Sequence, residues 1–166
     1  WALYAGVTYN VSENFKVVPV RPGQMFVDQD GVLLDGGKPF FPIGLYHVAG
    51  SEIEAAAKTG VNMVQFWNRD AKPENYAKLK QAGIQIIFEG PSWGQVVANQ
   101  TKEHFDFEIN PDFRAKVEQL RDDPSRVLGM WYTADEPSYG MLPYVNRIRD
   151  YWHALDEAHP TYTVST

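Results

Sequence analysis

The chain contains no cysteine. That excludes disulfides, zinc–thiolate sites and thiol nucleophiles at once. Basic runs are also missing: 15 Lys and Arg stand against 21 Asp and Glu, for a net charge of -6. A nucleic-acid backbone is held by clustered cations, so no nucleic-acid partner is expected, and an anionic membrane surface is disfavoured for the same reason. No apolar stretch approaches the roughly 20 residues of a membrane-spanning helix. Two catalytic signatures are absent as well: an HExxH zinc pair and a GxGxxG or GxxxxGK[ST] phosphate loop. The four His do not group as metal ligands in the sequence. Neither a metal nor a cofactor is expected.

What the chain does have is aromatic residues, 14% of its length, with five Trp and nine Tyr. Some must fill a core; others suit a sugar site, where flat rings stack on the apolar faces of pyranoses. The 166 residues are enough for one ordinary domain, but short of the roughly 250 of a whole (β/α)8 barrel. Trp1 opens the chain without an initiator methionine, so further sequence is expected upstream. Asn10-Val11-Ser12 and Asn99-Gln100-Thr101 fit the glycosylation sequon, a triplet that chance supplies often. The compartment is not decided by this; a secreted or periplasmic one is compatible.

Residues 1–23 read as strand or loop, a linker or the end of a preceding β domain. Arg21-Pro22-Gly23 is a break. Gln24–Val27, the polar turn Asp28–Gly31 and Val32–Leu34 predict a short β-hairpin. A second turn, Asp35–Pro39, precedes the apolar run Phe40–Tyr46, which reads as a strand buried on both faces. One pattern then repeats. Ser51-Glu52-Ile53-Glu54 has the form of a capping box opening a helix that stops near Gly60. Val61–Trp67 is a strand, Glu74–Gln81 a helix opened by Pro73 and closed by Gly83, and Ile84–Glu89 a strand. A polar loop carries Trp93. Pro111–Arg121 is helical, with Phe113, Val117 and Leu120 on one face. Val127–Tyr132 is a strand, Leu142–Glu157 a helix with Val145, Ile148, Trp152 and Leu155 as its stripe, and Thr161–Ser165 a fifth strand. Alternation of this kind means an α/β fold with a parallel sheet. An open doubly wound sheet and a closed barrel both fit the periodicity. The chemistry at several strand ends favours the barrel, so 24–166 is read as the N-terminal part, about five strands, of a (β/α)8 TIM barrel preceded by the hairpin.

The strand ends deliver Tyr46 and His47; Gln65, Trp67, Asn68 and Arg69; Glu89, with Trp93 beyond; then Trp131, Tyr132, Asp135 and Glu136. In a parallel barrel these lie on one face. Rings, amides and carboxylates together suit a neutral polyhydroxylated ligand. Glycosidic cleavage uses two carboxyl groups, one of them a general acid. Glu136 suits that role, just past a buried strand and held by Pro137. Each residue also has a plainer reading. Glu136 and Glu89 could be surface carboxylates, Trp67, Trp93 and Trp131 core rings, and Asn68 and Arg69 a turn leading to a helix. His104, His153 and His159 read as loop, surface or packing residues.

Thr133-Ala134-Asp135-Glu136-Pro137, following Gly129-Met130-Trp131-Tyr132, resembles the fourth-strand motif of the large clan of retaining glycoside hydrolases with (β/α)8 barrels. That clan includes β-galactosidase-like, β-mannanase-like and cellulase-like families. Gly31–Gly44 looks like the lead-in to their first barrel strand, and Gly60-Val61-Asn62-Met63-Val64 like their second. The resemblance covers about 24–166. It implies hydrolysis of O-glycosidic bonds in an oligo- or polysaccharide, with Glu136 as acid/base and Asp135, Trp67, Asn68, Arg69, Trp93, Trp131, Tyr46, His47 and Glu89 as substrate-binding candidates. Asp135 stands where the clan usually has Asn, which leaves substrate preference open. The clan's nucleophile is a Glu at the end of the seventh strand, and no residue here matches it. The expectation is therefore an active parent enzyme and an inactive fragment, with the barrel completed by the rest of the polypeptide or by a second chain. A non-catalytic carbohydrate-binding protein and a scaffold module are the readings from other classes.

Overall fold

The computed structural model describes residues 2–4, 7–9, 24–89 and 111–164, with side chains from 24 onward except Phe113. Trp93, His104 and both sequons lie outside the described residues. At the N-terminus, strands β1 (Ala2–Tyr4) and β2 (Val7–Tyr9) pair antiparallel.

The expected hairpin is present and gains a third strand. β3 (Met25–Val27), β4 (Leu33–Asp35) and β5 (Lys38–Pro39) form an antiparallel sheet in that order. Gly36 and Gly37 make the β4–β5 turn, both at positive φ (56° and 82°). Two such residues in a row define the tight hairpin turn whose twist matches its strands, and glycine adopts it without strain. Pro39, which has no N–H to donate, sits in the outer strand of this small sheet.

The body of the chain is a five-stranded parallel sheet with helical crossovers. Its strands are β6 (Gly44–Val48), β7 (Met63–Trp67), β8 (Gln85–Glu89), β9 (Leu128–Asp135) and β10 (Thr161–Val164). Their spatial order is the sequence order, β10-β9-β8-β7-β6, with every pair parallel. An unbroken sequential order of this kind is what part of a (β/α)8 barrel requires; a doubly wound sheet reverses order at its switch point. The crossovers carry α1 (Ile53–Ala57), α2 (Pro73–Ala82), α3 (Pro111–Arg121) and α4 (Leu142–Leu155).

Strand alternation divides the sheet into two faces. One face carries Val64, Phe66, Ile86, Phe88, Leu128 and Trp131, which pack with Tyr76 and Leu79 of α2, Val117 and Leu120 of α3, and Ile148 and Trp152 of α4. The opposite face begins apolar: Met63 and Met130 meet Met25 of the antiparallel sheet, with Leu33, Phe40 and Ile87 against them. That face then turns polar toward the strands' C-terminal ends with Gln65, Glu89 and Tyr132. The small sheet therefore covers the N-terminal end of the inner face and leaves the C-terminal end for chemistry. A side-chain bond from Gln85 Nε2 to Asp35 Oδ2 (3.0 Å) ties the two sheets. Gly129 sits at this junction because a Cβ there would come within 3.3 Å of both Ile86 O and Met25 Sδ and closer still to Met63 Cε.

Three expectations need correction. The first barrel strand runs over Gly44–Val48 rather than 40–46, and it is an outer strand of the sheet. Phe41, Ile43, Leu45 and Tyr46 are consequently exposed instead of buried on both faces. The capping box lies two residues earlier than Ser51: Ala49 N–H donates to Glu52 Oε2 at 2.8 Å, and a 3-10 turn over Gly50–Glu52 precedes a helix of one and a half turns. Finally, Val127–Tyr132 is too short for the fourth strand, which continues to Asp135.

Candidate functional site

Two departures from regular strand geometry build the site. Pairing between β6 and β7 shifts register between Leu45 and Val48, and His47 within that shift has φ 54°. A regular strand sends neighbours to opposite faces; a bulge re-aims them. Tyr46 and His47 accordingly serve one cluster, their rings 3.9 Å apart. A second irregularity falls in β9. Tyr132 pairs with Tyr162 but Ala134 with Thr163, so Thr133 is the extra residue. Its hydroxyl donates to Tyr162 O at 2.8 Å and also bonds the Thr163 hydroxyl. Tyr132 and Asp135, three apart, are thereby brought to the same partner.

That partner is Tyr46. Its hydroxyl donates to Asp135 Oδ2 at 3.0 Å and lies 3.3 Å from the Tyr132 hydroxyl. Since the Tyr46 proton is committed to Asp135, Tyr132 is the donor to Tyr46. Both phenols are pushed above their usual range, first by burial; Asp135 raises both further, whereas the bond from Tyr132 partly offsets the rise on Tyr46.

Glu89 anchors a second group. It is 7% exposed and accepts from Gln65 Nε2 at 2.5 Å. His47 Nε2 stands 3.3 Å from the same carboxylate oxygen, at ion-pair distance but out of line for a hydrogen bond. Burial drives the Glu89 carboxyl upward; the facing imidazole and the Gln65 amide pull it back only in part, and the charge on Asp135 adds to the rise. A raised carboxyl of this kind is common at functional sites. Trp67, Glu89 and Tyr132 stand level across three strands. Trp67 packs on His47, with centroids 4.1 Å apart, and the Arg69 guanidinium lies 5.5 Å above the Trp67 ring. Tyr46, His47 and Trp67 thus form one continuous aromatic wall.

Glu136 follows directly. Its N–H donates to Val164 O at 3.0 Å, which extends the β9–β10 pairing by one residue. Its backbone has φ 43°, a left-handed conformation unusual for a side-chain-bearing residue. The side chain is exposed, and among the described residues no hydrogen bond or ion pair holds its carboxylate.

Of the candidates, Tyr46, His47, Trp67, Glu89 and Asp135 are brought together at the strands' C-terminal ends, with Glu136 at the exposed end of β9. Arg69 is exposed on the turn after Trp67, with Nε on Asp70 Oδ2 at 3.3 Å. The carbonyl of Asn68 accepts from Lys116 of α3, which directs that backbone to the helical layer. Trp131 does not line the cleft. It is fully buried on the helical face, stacked on Trp152 at 4.6 Å and 5° from parallel, with Nε1 donating to Asp156 Oδ2 at 3.1 Å. Alternation explains this: Tyr132 faces the cleft, so its neighbour Trp131 must face away. Gln65 and Tyr132, placed at strand ends by the sequence but not among the substrate-binding candidates, also contribute: Gln65 lies two residues from Trp67 on its strand, and Tyr132 is the register partner of Glu89. Among the described residues, no group of three or more His, Cys, Asp and Glu side chains is placed to hold a metal ion, and no helix is long and apolar enough to cross a membrane.

No protein-family model matches the chain, and no curated protein does. Solved structures do. The exo-chitosanase CsxA of Amycolatopsis orientalis superposes with a TM-score of 0.55 at 16% identity, over 86% of this chain and 19% of that one. A complex of a variant of the same exo-chitosanase with PNP-β-D-glucosamine gives 0.56 at 15% identity over the same shares. This chain thus spans about a fifth of the length of these structures, and what it shares with them is the fold, a partial (β/α)8 barrel.

Proposed function

We propose that this chain is the N-terminal part of a glycoside hydrolase barrel that cleaves O-glycosidic bonds with retention of configuration, Glu136 being the general acid/base. The observation that carries the reading is the gathering of Tyr46, His47, Trp67, Glu89, Tyr132 and Asp135 at the C-terminal ends of consecutive parallel strands, the face on which barrel enzymes place their chemistry. Fold likeness to an exo-chitosanase supports it.

In such a reaction Glu136 donates its proton to the glycosidic oxygen as the bond to the anomeric carbon breaks. A glutamate from a later strand, outside residues 1–166, attacks that carbon and forms a covalent glycosyl–enzyme. Glu136, now a carboxylate, takes a proton from water, which displaces the enzyme carboxylate and releases the sugar. The aromatic wall of Tyr46, His47 and Trp67 stacks against the sugar, and Asp135, Glu89 and Arg69 bind its polar groups, with Asn68 and Trp93 as further proposed contacts.

The test is Glu136→Gln in the polypeptide that completes the barrel, assayed on a panel of aryl glycosides with binding followed calorimetrically. Turnover lost with binding kept supports the enzyme. Binding lost from a protein that never turned over any substrate identifies a carbohydrate-binding protein instead. No sugar affinity at all leaves a scaffold.

A further inference from the structure

The end of β9 is set by one surplus residue. Trp131 N–H donates to Pro160 O and Glu136 N–H to Val164 O, so between these bonds β9 advances by five residues and β10 by four. In regular parallel pairing the two strands advance equally. The surplus residue is Thr133, which falls between the pairs Tyr132–Tyr162 and Ala134–Thr163. Without it, alternation would put Asp135 on the helical face with Trp131, away from Tyr46, and Val164 O would take the Asp135 amide instead of the Glu136 amide. Side-chain hydroxyls hold the irregularity in place. Thr133 Oγ1 donates its single proton to Tyr162 O at 2.8 Å. The Thr163 hydroxyl must then be the donor in the bond between the two threonines. Thr133 is 5% exposed, so water is poorly placed to replace either bond. Both carboxylate residues depend on the result: Asp135 meets Tyr46 at 3.0 Å, and Glu136 turns through a left-handed φ of 43°.

We propose that the Thr133–Thr163 hydroxyl pair is the positioning device of this site. It holds the surplus residue in β9, and thereby sets which face Asp135 takes and which amide anchors Glu136. Thr133 touches no sugar in this scheme; it acts through Asp135 and Glu136. The consequence for turnover rests on the hydrolase reading above, whereas the consequence for strand register does not.

The experiment compares Thr133→Val, which keeps the shape and removes the hydroxyl, with Thr133→Ser, which keeps the hydroxyl. Amide hydrogen exchange, followed by NMR on this chain, reads the register. In Thr133→Val the Glu136 amide is expected to lose protection at least about tenfold while Asp135 gains it; in Thr133→Ser both stay as they are. Hydrolysis by the polypeptide that completes the barrel reads the consequence. A dinitrophenolate leaves without a proton, whereas a phenolate needs one from the general acid. Thr133→Val is therefore expected to slow a phenyl glycoside at least about tenfold more than a dinitrophenyl glycoside, and Thr133→Ser to restore both. If Thr133→Val does not fold by circular dichroism, Thr163→Val removes the outer hydroxyl alone and carries the same comparison. Unchanged exchange at Glu136, or a serine variant no better than the valine one, overturns the positioning role. Equal slowing of both glycosides overturns its link to Glu136. If the unaltered polypeptide cleaves neither glycoside, the hydrolase reading falls, and the exchange pattern alone decides the role of the hydroxyl pair.

Discussion

The hydroxyl of Tyr46, in the first strand of the parallel sheet, donates to Asp135 at the end of the fourth, 3.0 Å away and 89 residues along the chain. β7 and β8 lie between these two strands, so the bond spans the concave face rather than joining neighbours. Sheet curvature is what closes that distance, and the bond with Tyr132 fixes the hydroxyl's direction. Tyr46→Phe should leave the fold intact, because the ring and its stacking on His47 remain. A hydrogen bond to a charged group contributes about 1.5–3 kcal/mol, so the thermal midpoint is expected to fall by several degrees, measured by a thermal melt; an unchanged midpoint would show that the bond contributes nothing to stability.

Glu136 places its side chain on a left-handed backbone. For an L-residue that conformation costs about 1–2 kcal/mol relative to the right-handed one, a cost glycine does not carry. Glu136→Gly is expected to raise stability by about 0.5–1 kcal/mol in urea unfolding, while removing the hydrolysis proposed above for the polypeptide that completes the barrel. A loss of stability would show that the carboxylate has a structural role.

Asp156 is the buried counterpart of the site carboxylates. It is 5% exposed and binds Trp131 Nε1 at 3.1 Å and His159 Nδ1 at 2.6 Å. Burial pushes its carboxyl up, but His159 and the N–H groups of Ala158 and His159 outweigh that and hold it below the ordinary value. A folded-state value below the unfolded one means stability that is present above the unfolded value, about 3.9, and is lost as pH falls through the folded one. The protein should therefore lose stability on acidification below about pH 4. Asp156→Ala should blunt that acid-side loss and cost about 3 kcal/mol at neutral pH, since it strands two buried partners. Unfolding free energies measured from pH 7 down to pH 3 check both points.

Gly129 lies where the Cβ of any other residue would press on Ile86 O and Met25 Sδ at 3.3 Å and on the flexible tip of Met63. Gly129→Ala is expected to cost about 1–3 kcal/mol through overpacking. The Met63 tip can move aside, whereas the Ile86 carbonyl, in a strand of the sheet, cannot. The shift should appear in the denaturation midpoint with little change in slope.

Much of this was legible from the sequence. The stripe Val145, Ile148 and Trp152 marked the helical face of α4, and Pro73 with Gly83 marked both ends of α2, because caps and periodicity are local signals. The parallel order followed from strands separated by helices. The alternation also held for β7 and β8, where Gln65 and Glu89 share the inner face with Trp67. It failed at the ends that matter for chemistry. No local pattern announced the irregularities at His47 and Thr133, since a bulge arises from pairing with a strand far along the chain. Trp131 was misjudged for a related reason: its side depends on the register of the whole strand rather than on its place near the motif.

The sequence by itself determined the alternation of strands and helices, the absence of thiol and metal chemistry built on cysteine, and the set of aromatic and carboxylate residues available at the strand ends. Those properties reside in residue type and spacing. Only the tertiary structure decided which of them meet. Two irregular strands turn Tyr46 and His47 toward the cleft together with Tyr132 and Asp135. The same alternation sends Trp131 to the core. Burial between strands sets Glu89 against Gln65 and His47 and raises its carboxyl. Each outcome depends on contacts between residues tens of positions apart, which no local window contains.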